Sequence, residues 1–382
     1  MQTQKTLNVG LIGFGAMGKT HAYAIQNLPF FFSDLPFLAR IKGVTTRSEE
    51  KSRAVAAAYG IPVATTDEND LINDPDIDVI DICTPNICHF ETAKKALLAG
   101  KHVYCEKPLC DNAQEALALA ALAKKSGLVA MTVFNNRHLT AVMRAKQLIE
   151  EGRLGRILHF DMQYLHNSCI DPDRTVGWKQ DSEICGRGGV LFDLGSHVLD
   201  LAVFLCGKMK SVSAQGQIAY PTHKKANGED WQTNAPEAFY MMLETTEGAH
   251  GMVTVSKLTT GANDDLSFAV YGERGSLRFS LMQPNFLEFY DATAPGKPQG
   301  GVRGYTAIEC VGRAPAPAGS FPSPKAPTGW LWGHVMSIYR LFDAVYRGTP
   351  VSPDFTDGAY VQHLMELALR ADEQKCRLEV EP

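Results

Sequence analysis

The sequence predicts an α/β protein of two domains: a doubly wound parallel sheet over residues 1–134, and an α+β domain with a large, mostly antiparallel open sheet over residues 135–382. Three observations support this prediction. The 382 residues exceed the usual size of one domain. Strand and helix patterns alternate as far as Phe134, whereas from Met209 strand patterns follow one another without intervening helices. The first arrangement is typical of parallel sheets and the second of antiparallel ones.

The first strand ends in a glycine-rich turn that leads directly into a helix. The residues after the strand have the spacing Gly-x-Gly-x-x-Gly and are Gly13, Phe14, Gly15, Ala16, Met17 and Gly18. In a dinucleotide-binding domain of the Rossmann type, the first glycine permits the tight turn, the second lets the backbone approach the pyrophosphate, and the third lets the helix pack on the strand. The helix N-terminus then faces the phosphates with its amide groups. Taken alone, the motif is also compatible with a turn that has only a structural role and binds no nucleotide.

Helix caps and β-branched runs place the other elements of the first domain. Ser48 is the predicted N-cap of one helix, which ends at Gly60, and Asn112 with Glu115 has the spacing of a capping box. The helices predicted from these signals are 48–59, 89–99 and 112–126, and the strands include 41–45, 77–84, 103–105 and 128–134. Six strands with mostly helical crossovers in about 134 residues predict a doubly wound parallel sheet.

An apolar stretch, residues 28–38, precedes the second strand. Two prolines interrupt this stretch, and it is too short to span a bilayer. We expect it to form a buried or partner-covered loop inserted before the strand.

Charge and cysteine content exclude several classes of partner. The net charge of −5 gives no electrostatic reason to expect binding to nucleic acid or to an anionic membrane. Nine cysteines is an odd number, and the pairs Cys83 with Cys88 and Cys105 with Cys110 lack the usual spacing of a zinc site. We therefore expect reduced thiols, no metal and a cytoplasmic protein, in keeping with a chain that starts without a secretory leader.

The second domain begins with a helix at residues 140–151 and a long strand at 157–165, and another helix follows at about 189–206. Turn residues then separate a series of strands: 210–217, 238–244, 250–258, 266–271, 276–281 and 286–290. Residues 292–329 are rich in proline and glycine and are expected to form a long excursion. Helices at about 332–346 and 357–372 close the chain.

Lys107 is the first candidate for chemistry. It follows the strand 103–105, and ligands of a doubly wound sheet bind beyond the carboxyl ends of its strands. Pro108 stiffens the turn that holds it. An ammonium group there can hold a substrate hydroxyl, polarise a carbonyl or favour an alkoxide. The alternative is an ordinary solvated lysine in a loop.

The second candidate is a histidine with two carboxylates on one predicted helix. Asp193 and His197 have i,i+4 spacing and Asp200 is three residues further, so an α-helix places all three on one face. A histidine held by carboxylates on an otherwise apolar helix can serve as a general acid or base near neutral pH. A satisfied core histidine beside surface aspartates is the alternative.

Four sequence blocks, taken in order, resemble the glucose–fructose oxidoreductase/inositol dehydrogenase (Gfo/Idh/MocA) family. They are the glycine turn, Cys83-Thr84-Pro85-Asn86 with His89, residues 101–108 around Glu106-Lys107-Pro108, and Gly188-Gly189 followed by Asp193, Gly195, His197 and Asp200. The resemblance covers essentially the whole chain. It implies an N-terminal Rossmann domain, a C-terminal sheet used to form a homodimer or homotetramer, and hydride transfer between NAD(P) and a sugar or polyol hydroxyl.

The resemblance also implies roles for individual residues. Lys107 and His197 resemble the active-site lysine and the acid/base, and Asp193 resembles the carboxylate that binds substrate and orients the histidine. The expected cofactor contacts are Gly13, Phe14, Gly15, Ala16, Met17, Gly18, Thr46, Arg47, Thr84, Pro85, Asn86, His89, Glu106, Lys107, Arg137 and Trp178. Arg137 can equally be a salt-bridge partner, and Trp178 can equally be ordinary packing. Residues expected at the substrate, besides the three catalytic ones, are Tyr164, His166 and Arg174.

The end of the second strand departs from the usual pattern of NAD-specific enzymes. Such enzymes place Asp or Glu there to bind the ribose 2′-hydroxyl, whereas this chain has Thr46 and Arg47 and no acid before Glu49. An arginine and hydroxyl groups suit a 2′-phosphate. We therefore expect a preference for NADP over NAD, with the alternative that Arg47 stacks on adenine and either cofactor is accepted.

Together these features predict an NAD(P)-dependent dehydrogenase or reductase acting on a secondary hydroxyl or ketone of a sugar, sugar derivative or cyclitol. His197 would accept the hydroxyl proton, Lys107 would stabilise the oxyanion, and Asp193 would hold His197 and a neighbouring hydroxyl. Two alternatives stay open: an NAD-dependent glycosidase of the same fold, and a non-catalytic sensor of a sugar or nucleotide. A sensor would not need the lysine and the Asp/His pair.

Overall fold

The computed structural model describes residues 4–173, 175, 177, 181–225, 227–311 and 321–381, and it divides into two compact units. The first unit comprises Met1–Asn135, Gly319–Pro324 and Leu331–Gln362, and the second comprises Asn136–Ala318, Lys325–Trp330 and His363–Pro382. The chain enters the second unit one residue beyond the division expected from the sequence. A C-terminal segment that the sequence placed in the second domain lies in the first unit.

A six-stranded parallel sheet forms the centre of the first unit. Its strands are β1 (Lys5–Ile12), β2 (Phe37–Thr45), β3 (Val63–Thr65), β4 (Val79–Ile82), β5 (His102–Cys105) and β6 (Ala130–Thr132). Their order in the sheet is β3-β2-β1-β4-β5-β6. This is the strand order of a Rossmann fold, so the predicted doubly wound parallel sheet is confirmed.

Five helices connect these strands: α1 (Ala16–Phe31), α2 (Glu49–Tyr59), α3 (Glu68–Ile72), α4 (His89–Leu98) and α5 (Ala113–Ser126). The predicted caps form, because the Ser48 side chain accepts a hydrogen bond from the Lys51 amide and the Asn112 side chain accepts one from the Glu115 amide. Gly60 ends α2 with a φ of 65°, a left-handed conformation that glycine adopts without strain. These caps satisfy backbone groups that helix ends leave unpaired.

A nine-stranded mixed sheet forms the centre of the second unit. The strands of this unit are β7 (Ile157–Leu165), β8 (Met209–Gln217), β9 (Thr222–Lys224), β10 (Asp230–Gln232), β11 (Ala238–Thr245), β12 (His250–Ser256), β13 (Asp265–Gly272), β14 (Gly275–Ser280), β15 (Phe286–Asp291), β16 (Tyr305–Glu309) and β17 (Leu378–Glu379). The sheet order is β16-β15-β14-β13-β7-β12-β11-β8-β17, and β9 with β10 forms a separate hairpin. The pairing of β7 with β12 is parallel and the other described pairings are antiparallel, which confirms the predicted open sheet. β16 lies inside the segment predicted to be an irregular excursion.

The helices of the second unit include α6 (Thr140–Glu150), α7 (Ser182–Cys185) and α8 (Ser196–Cys206). The predicted helix 189–206 is divided, because Leu191–Gly195 forms a wider π-helical turn ahead of α8. Near the C-terminus, α9 (Trp330–Arg347) falls almost entirely in the first unit, and α10 (Phe355–Gln374) begins in the first unit and ends in the second. In the described part of the chain, no helix combines the length and apolarity of a membrane-spanning segment.

The apolar stretch 28–38 is not an inserted loop. α1 continues to Phe31, and β2 begins after a short connection. The ring of Phe32 packs on Tyr339 of α9, with 4.5 Å between the ring centroids. The expectation of a loop is therefore wrong: most of the stretch belongs to α1 and β2, and its residues Phe32 and Phe37 are buried in the core of the first unit.

Candidate active site

The glycine turn has the geometry that a dinucleotide requires. Gly13 has a φ of 93°, and a Cβ atom on it would lie 2.6 Å from the Cys83 carbonyl oxygen, so a larger residue does not fit. A Cβ atom on Gly18 would lie 2.4 Å from the Gly13 carbonyl oxygen. Gly15 begins α1 without a side-chain cap, and a Cβ atom there would meet nothing within 4 Å. This open space at a helix N-terminus fits a pyrophosphate group.

The other residues of the turn have different surroundings. Phe14 is buried, and its ring centroid lies 5.0 Å from that of Tyr59 in α2. Ala16 is exposed and Met17 is half-buried at the start of α1. Phe14 therefore fixes the turn against α2. Ala16 and Met17 belong to the first turn of the helix, whose backbone amides are the phosphate-binding part of this motif.

The end of β2 carries the two residues expected to choose between NAD and NADP. The Thr46 hydroxyl donates to the Ser48 carbonyl oxygen at 3.0 Å and lies 2.9 Å from the Ser52 hydroxyl, so it stabilises the turn into α2. Arg47 is exposed. Burial raises the pKa of the Cys88 thiol, and the positive charge of Arg47 acts in the opposite direction. Of the two, Arg47 is the residue with a side chain directed to solvent and accessible to a 2′-phosphate.

His89 ties the segment after β4 to the segment after β5. Its ring is buried, with Nδ1 2.8 Å from the Pro108 carbonyl oxygen and Nε2 3.0 Å from the Thr84 carbonyl oxygen. Burial lowers the pKa of His89, although both carbonyls favour the protonated ring. Thr84 Oγ1 is buried and has no hydrogen-bond partner among the described residues, and Pro85 and the buried Asn86 follow it. An unsatisfied hydroxyl beyond β4 fits a contact with a bound cofactor.

Glu106 and Lys107 follow β5 at the carboxyl edge of the same sheet. Lys107 is half-buried, and its amide donates to Glu106 Oε2 at 3.1 Å. The other carboxylate oxygen, Oε1, lies 3.1 Å from Nε2 of His21. The Glu106 carboxylate is thus held by the protein itself, while Lys107 occupies the strand end at which this fold binds ligands.

A buried cluster around His21 is the part of the first unit that the sequence analysis missed. His21 Nδ1 lies 2.9 Å from Asp81 Oδ1 and 3.1 Å from the Cys83 sulfur, and the ring of His334 lies 5.8 Å from the His21 ring. Burial would lower the pKa of His21, but Asp81 and Cys83 outweigh burial and raise the pKa well above its ordinary value. The hydrogen-bond distances and the raised pKa describe an ion pair between the protonated His21 ring and Asp81. An aspartate within a buried strand was the available sequence signal.

Two glycines precede the candidate catalytic residues of the second unit. Gly189 has a φ of 50°, and a Cβ atom on it would lie 2.5 Å from the Pro236 carbonyl oxygen. The Val190 amide donates to the same oxygen at 2.9 Å. This close approach anchors the start of the wide turn that carries Asp193 and leads to His197 in α8.

Asp193 and His197 make different described contacts. Asp193 Oδ2 lies 2.9 Å from Nζ of Lys257, and the two side chains are only 16% and 7% exposed. The buried His197 ring lies 5.9 Å from the Tyr164 ring in an edge-on arrangement. The orientation of His197 by Asp193 therefore stays a prediction. Lys257, which sequence reasoning did not single out, is the described ion-pair partner of Asp193.

Tyr164, His166 and Asp264 form a hydrogen-bonded group beside His197. The Tyr164 hydroxyl donates to Asp264 Oδ1 at 2.6 Å, and His166 Nε2 lies 2.9 Å from the same oxygen. Burial raises the pKa of Tyr164, so the phenol stays protonated. Burial would raise the pKa of Asp264, but hydrogen bonds from His166 and Tyr164 and the charge of His197 lower it. Tyr164 and His166 are residues expected at the substrate, whereas Asp264 was not singled out from the sequence and is their shared hydrogen-bond partner.

Of the remaining residues of the expected site, Arg137 forms a buried salt bridge, and two others lie outside the described part of the chain. Arg137 Nε lies 2.9 Å from both carboxylate oxygens of Asp200, and both side chains are buried. This arrangement is the salt-bridge alternative for Arg137. It also gives Asp200 a described partner, Arg137, that is not one of the residues of the predicted helix face. Arg174 and Trp178 lie outside the described residues.

Comparison with known protein families gives matches in both parts of the chain. Residues 7–134 match an oxidoreductase family with an NAD-binding Rossmann fold, and residues 142–278 match the GFO/IDH/MocA C-terminal domain. The chain belongs to the Gfo/Idh/MocA oxidoreductase family. The expected resemblance is thereby confirmed, and with it the class of enzyme, an NAD(P)-dependent dehydrogenase.

Individual Gfo/Idh/MocA proteins resemble the chain over nearly its full length. Levoglucosan dehydrogenase of Pseudarthrobacter phenanthrenivorans is 33% identical over 370 residues, which cover 94% of this chain and 94% of the relative. Inositol 2-dehydrogenase of Rhizobium meliloti is 26% identical over 98% of this chain and 99% of the relative. A solved structure of levoglucosan dehydrogenase with NADH and levoglucosan has a TM-score of 0.94 and 32% identity, over 99% of this chain and 100% of that chain.

Proposed function

We propose that this Gfo/Idh/MocA enzyme is an NAD-dependent sugar dehydrogenase that oxidises a secondary hydroxyl group, with levoglucosan as its first candidate substrate. The observation that carries the proposal is the set of hydroxyl-binding groups beside His197. The Tyr164 ring contacts His197, and the Tyr164 hydroxyl and His166 Nε2 both lie within hydrogen-bond distance of the Asp264 carboxylate. Phenols, carboxylates and imidazoles suit the many hydroxyl groups of a sugar. Full-length similarity to levoglucosan dehydrogenase supports this substrate class.

Three side chains carry the chemistry in this proposal. His197 accepts the proton of the substrate hydroxyl as the general base. Lys107 stabilises the negative charge that develops on that oxygen, and Asp193 binds a neighbouring hydroxyl. When bound, NAD supplies the hydride acceptor. Because burial raises the pKa of Tyr164, the phenol donates a hydrogen bond without losing its proton, and His197 is left as the base.

NAD is the proposed cofactor, and Arg47 is the proposed determinant of any use of NADP. The levoglucosan dehydrogenase structures contain NADH, so the preference for NADP that the sequence suggests has no support among these relatives. The exposed Arg47 nevertheless offers a partner to a 2′-phosphate, and the residues between β2 and Glu49 carry no carboxylate to repel one. We therefore propose NAD as the principal cofactor, with NADP accepted more weakly.

A homodimer or homotetramer through one face of the large sheet is also proposed. Met242 pairs with Met252 between β11 and β12, and the two side chains are 57% and 43% exposed. Large apolar side chains on a sheet face favour burial against a second copy of the chain. Light scattering measures the mass, and an active monomer would contradict the proposal. A cytoplasmic location is proposed because no disulfide joins cysteines in the described residues.

A substrate screen with purified protein tests the function. Levoglucosan, D-xylose, L-sorbose and inositol are each supplied with NAD or NADP at alkaline pH, and the absorbance of the reduced nicotinamide is followed. We expect sugar-dependent reduction of NAD, fastest with levoglucosan. Absence of reduction with every sugar would contradict the proposal. Release of free sugar from a glycoside without net reduction would indicate the glycosidase alternative.

A further inference from the structure

Lys257 follows β12 and carries a buried charge among the residues proposed to bind substrate. Its side chain is 7% exposed, and Nζ lies 2.9 Å from Asp193 Oδ2. We propose that Lys257 is a positioning residue, which holds the Asp193 carboxylate ionised and in one orientation so that it accepts hydrogen bonds from substrate hydroxyl groups. The inference rests on the proposed function of Asp193 and extends it to a second lysine.

The backbone of Lys257 is held on both sides. Its amide donates to the Glu237 carbonyl oxygen at 2.8 Å, and its carbonyl oxygen accepts from the Cys169 amide at 2.9 Å. A lysine side chain has a flexible stem, but burial and one ion pair restrict its conformations. The position of the ammonium group is therefore fixed, and its ion pair fixes the position of the Asp193 carboxylate.

Among the described residues, the titratable groups that face Lys257 come from three segments. Asp193 lies on the wide turn before α8, Cys169 on the loop after β7, and Cys185 at the end of α7. Burial would lower the pKa of Lys257, but Asp193 outweighs burial and raises the pKa above its ordinary value. Burial also raises the pKa of Cys185, to about 11, so its thiol is protonated at neutral pH. Lys257 therefore stays charged and does not act as a proton acceptor.

The ion pair matters because it determines what Asp193 offers to a substrate. Asp193 is only 16% exposed, and removal from water disfavours the charged form of a carboxyl group. A protonated carboxyl is a donor with reduced acceptor capacity, whereas a carboxylate accepts up to about four hydrogen bonds. Pairing with Lys257 therefore preserves an acceptor and leaves room for a substrate hydroxyl.

The first experiment follows the ionisation of Asp193 without any substrate. Protein with carbon-13 in its aspartate carboxyl groups is titrated by NMR, and Asp193→Asn identifies the signal. We expect Asp193 to remain ionised to lower pH in the wild type than in Lys257→Met, and we expect Lys257→Arg to restore the wild-type curve. Identical titrations in the wild type and Lys257→Met would overturn the proposal. If Lys257→Met does not fold, Lys257→Gln replaces it in each measurement.

The second experiment separates positioning from a purely structural role. In Lys257→Met we expect kcat/KM for sugar oxidation to fall about 100-fold, as small misplacements of a binding group do, and the acid limb of its pH profile to move to higher pH. The dissociation constant for NADH should stay within about twofold, because Lys257 lies outside the glycine turn. A lower unfolding temperature with unchanged kinetics would overturn the proposal.

The matched control is Lys210→Met. Lys210 also forms an ion pair at 2.9 Å, with Glu244, but its side chain is 52% exposed. An exposed pair contributes little, so this variant should keep wild-type kinetics. A wild-type enzyme that binds NADH but oxidises no sugar would contradict the proposed function, and the NMR titration alone would then decide the role of Lys257.

Discussion

His21 Nδ1 lies 2.9 Å from Asp81 Oδ1 in the interior of the first unit, where both side chains are almost completely buried. The pair joins α1, just after the glycine turn, to β4. The other ring nitrogen lies 3.1 Å from Glu106 Oε1, beyond the end of β5. Because the protonated ring faces two carboxylates, its positive charge compensates their buried negative charges. The cluster thereby stabilises the sheet edge that carries the glycine turn and Lys107.

Replacing His21 with glutamine should destabilise the protein in a pH-dependent manner. Loss of one partner from a buried pair costs about 3–5 kcal/mol in free energy of unfolding. The folded-state pKa of His21 is raised, so its stabilisation is fully present below the ordinary value of about 6.5 and is lost as pH rises through the raised value. In urea unfolding, the gap between wild type and variant should narrow as pH rises. A gap that stays constant with pH for His21→Gln would contradict the assignment.

Replacing Gly15 with alanine should weaken NADH binding without harming the fold. A methyl group there meets no protein atom within 4 Å, but it occupies the space proposed for the pyrophosphate. Loss of hydrogen bonds to a charged group should raise the dissociation constant about 10- to 100-fold. Gly18→Ala is the contrasting variant, because its methyl group would lie 2.4 Å from the Gly13 carbonyl oxygen and should cost about 1–3 kcal/mol of stability. Unchanged NADH affinity in Gly15→Ala would remove the turn from the cofactor site.

Local patterns account for what the sequence predicted well. The glycine turn is built from consecutive residues, so its spacing alone defines its geometry. Contacts between distant residues leave no such pattern: His21 and Asp81 are 60 positions apart, and neither Lys257 nor Asp264 belongs to a recognised motif. The only signal of the cluster around His21 in the sequence was the presence of an acidic residue, Asp81, within the apolar strand β4.

The helix that carries His197, the proposed acid/base, was predictable only in part. Its position and the residues Asp193 and His197 were predictable from apolar periodicity and from the family resemblance. The prediction that Asp193, His197 and Asp200 share one face assumed a regular period of about 3.6 residues per turn. The wide turn at Leu191–Gly195 interrupts that period. As a result, the two carboxylates of that predicted face have different partners, Lys257 for Asp193 and Arg137 for Asp200.

Replacing Lys107 with methionine should reduce turnover far more than cofactor affinity. The variant removes the charge proposed to stabilise the oxyanion, and such a loss typically lowers kcat about 100- to 1,000-fold. NADH affinity, measured by fluorescence titration, should change little because the glycine turn and Thr84 are intact. Lys94→Met, which removes a 43% exposed lysine of the same unit, is the matched control and should keep wild-type turnover. Turnover near that of the wild type in Lys107→Met would rule out the proposed role.

Replacing Arg47 with alanine should affect NADP much more than NAD. The guanidinium is exposed after β2, where a charge-assisted bond to a 2′-phosphate would be worth about 10- to 100-fold in affinity. The dissociation constants for both cofactors are measured in parallel with those of Arg53→Ala, whose guanidinium pairs with Glu49 on α2. An equal loss of affinity for NAD and NADP in Arg47→Ala would instead indicate stacking on adenine.

Replacing Arg137 with methionine should destabilise the second unit and leave cofactor binding intact. Arg137 is buried, its guanidinium lies 4.9 Å from the Phe204 ring centroid, and both carboxylate oxygens of Asp200 contact its Nε atom. The single variant leaves Asp200 buried without its cation, which costs about 3–5 kcal/mol, whereas the double variant Arg137→Met/Asp200→Leu replaces the pair by apolar groups and should recover most of that loss. Unfolding in urea and NADH titration of both variants distinguish the two expected roles of this arginine. A double variant that regains stability but binds NADH at least about tenfold more weakly, a difference of about 1.4 kcal/mol, would return Arg137 to the cofactor contacts.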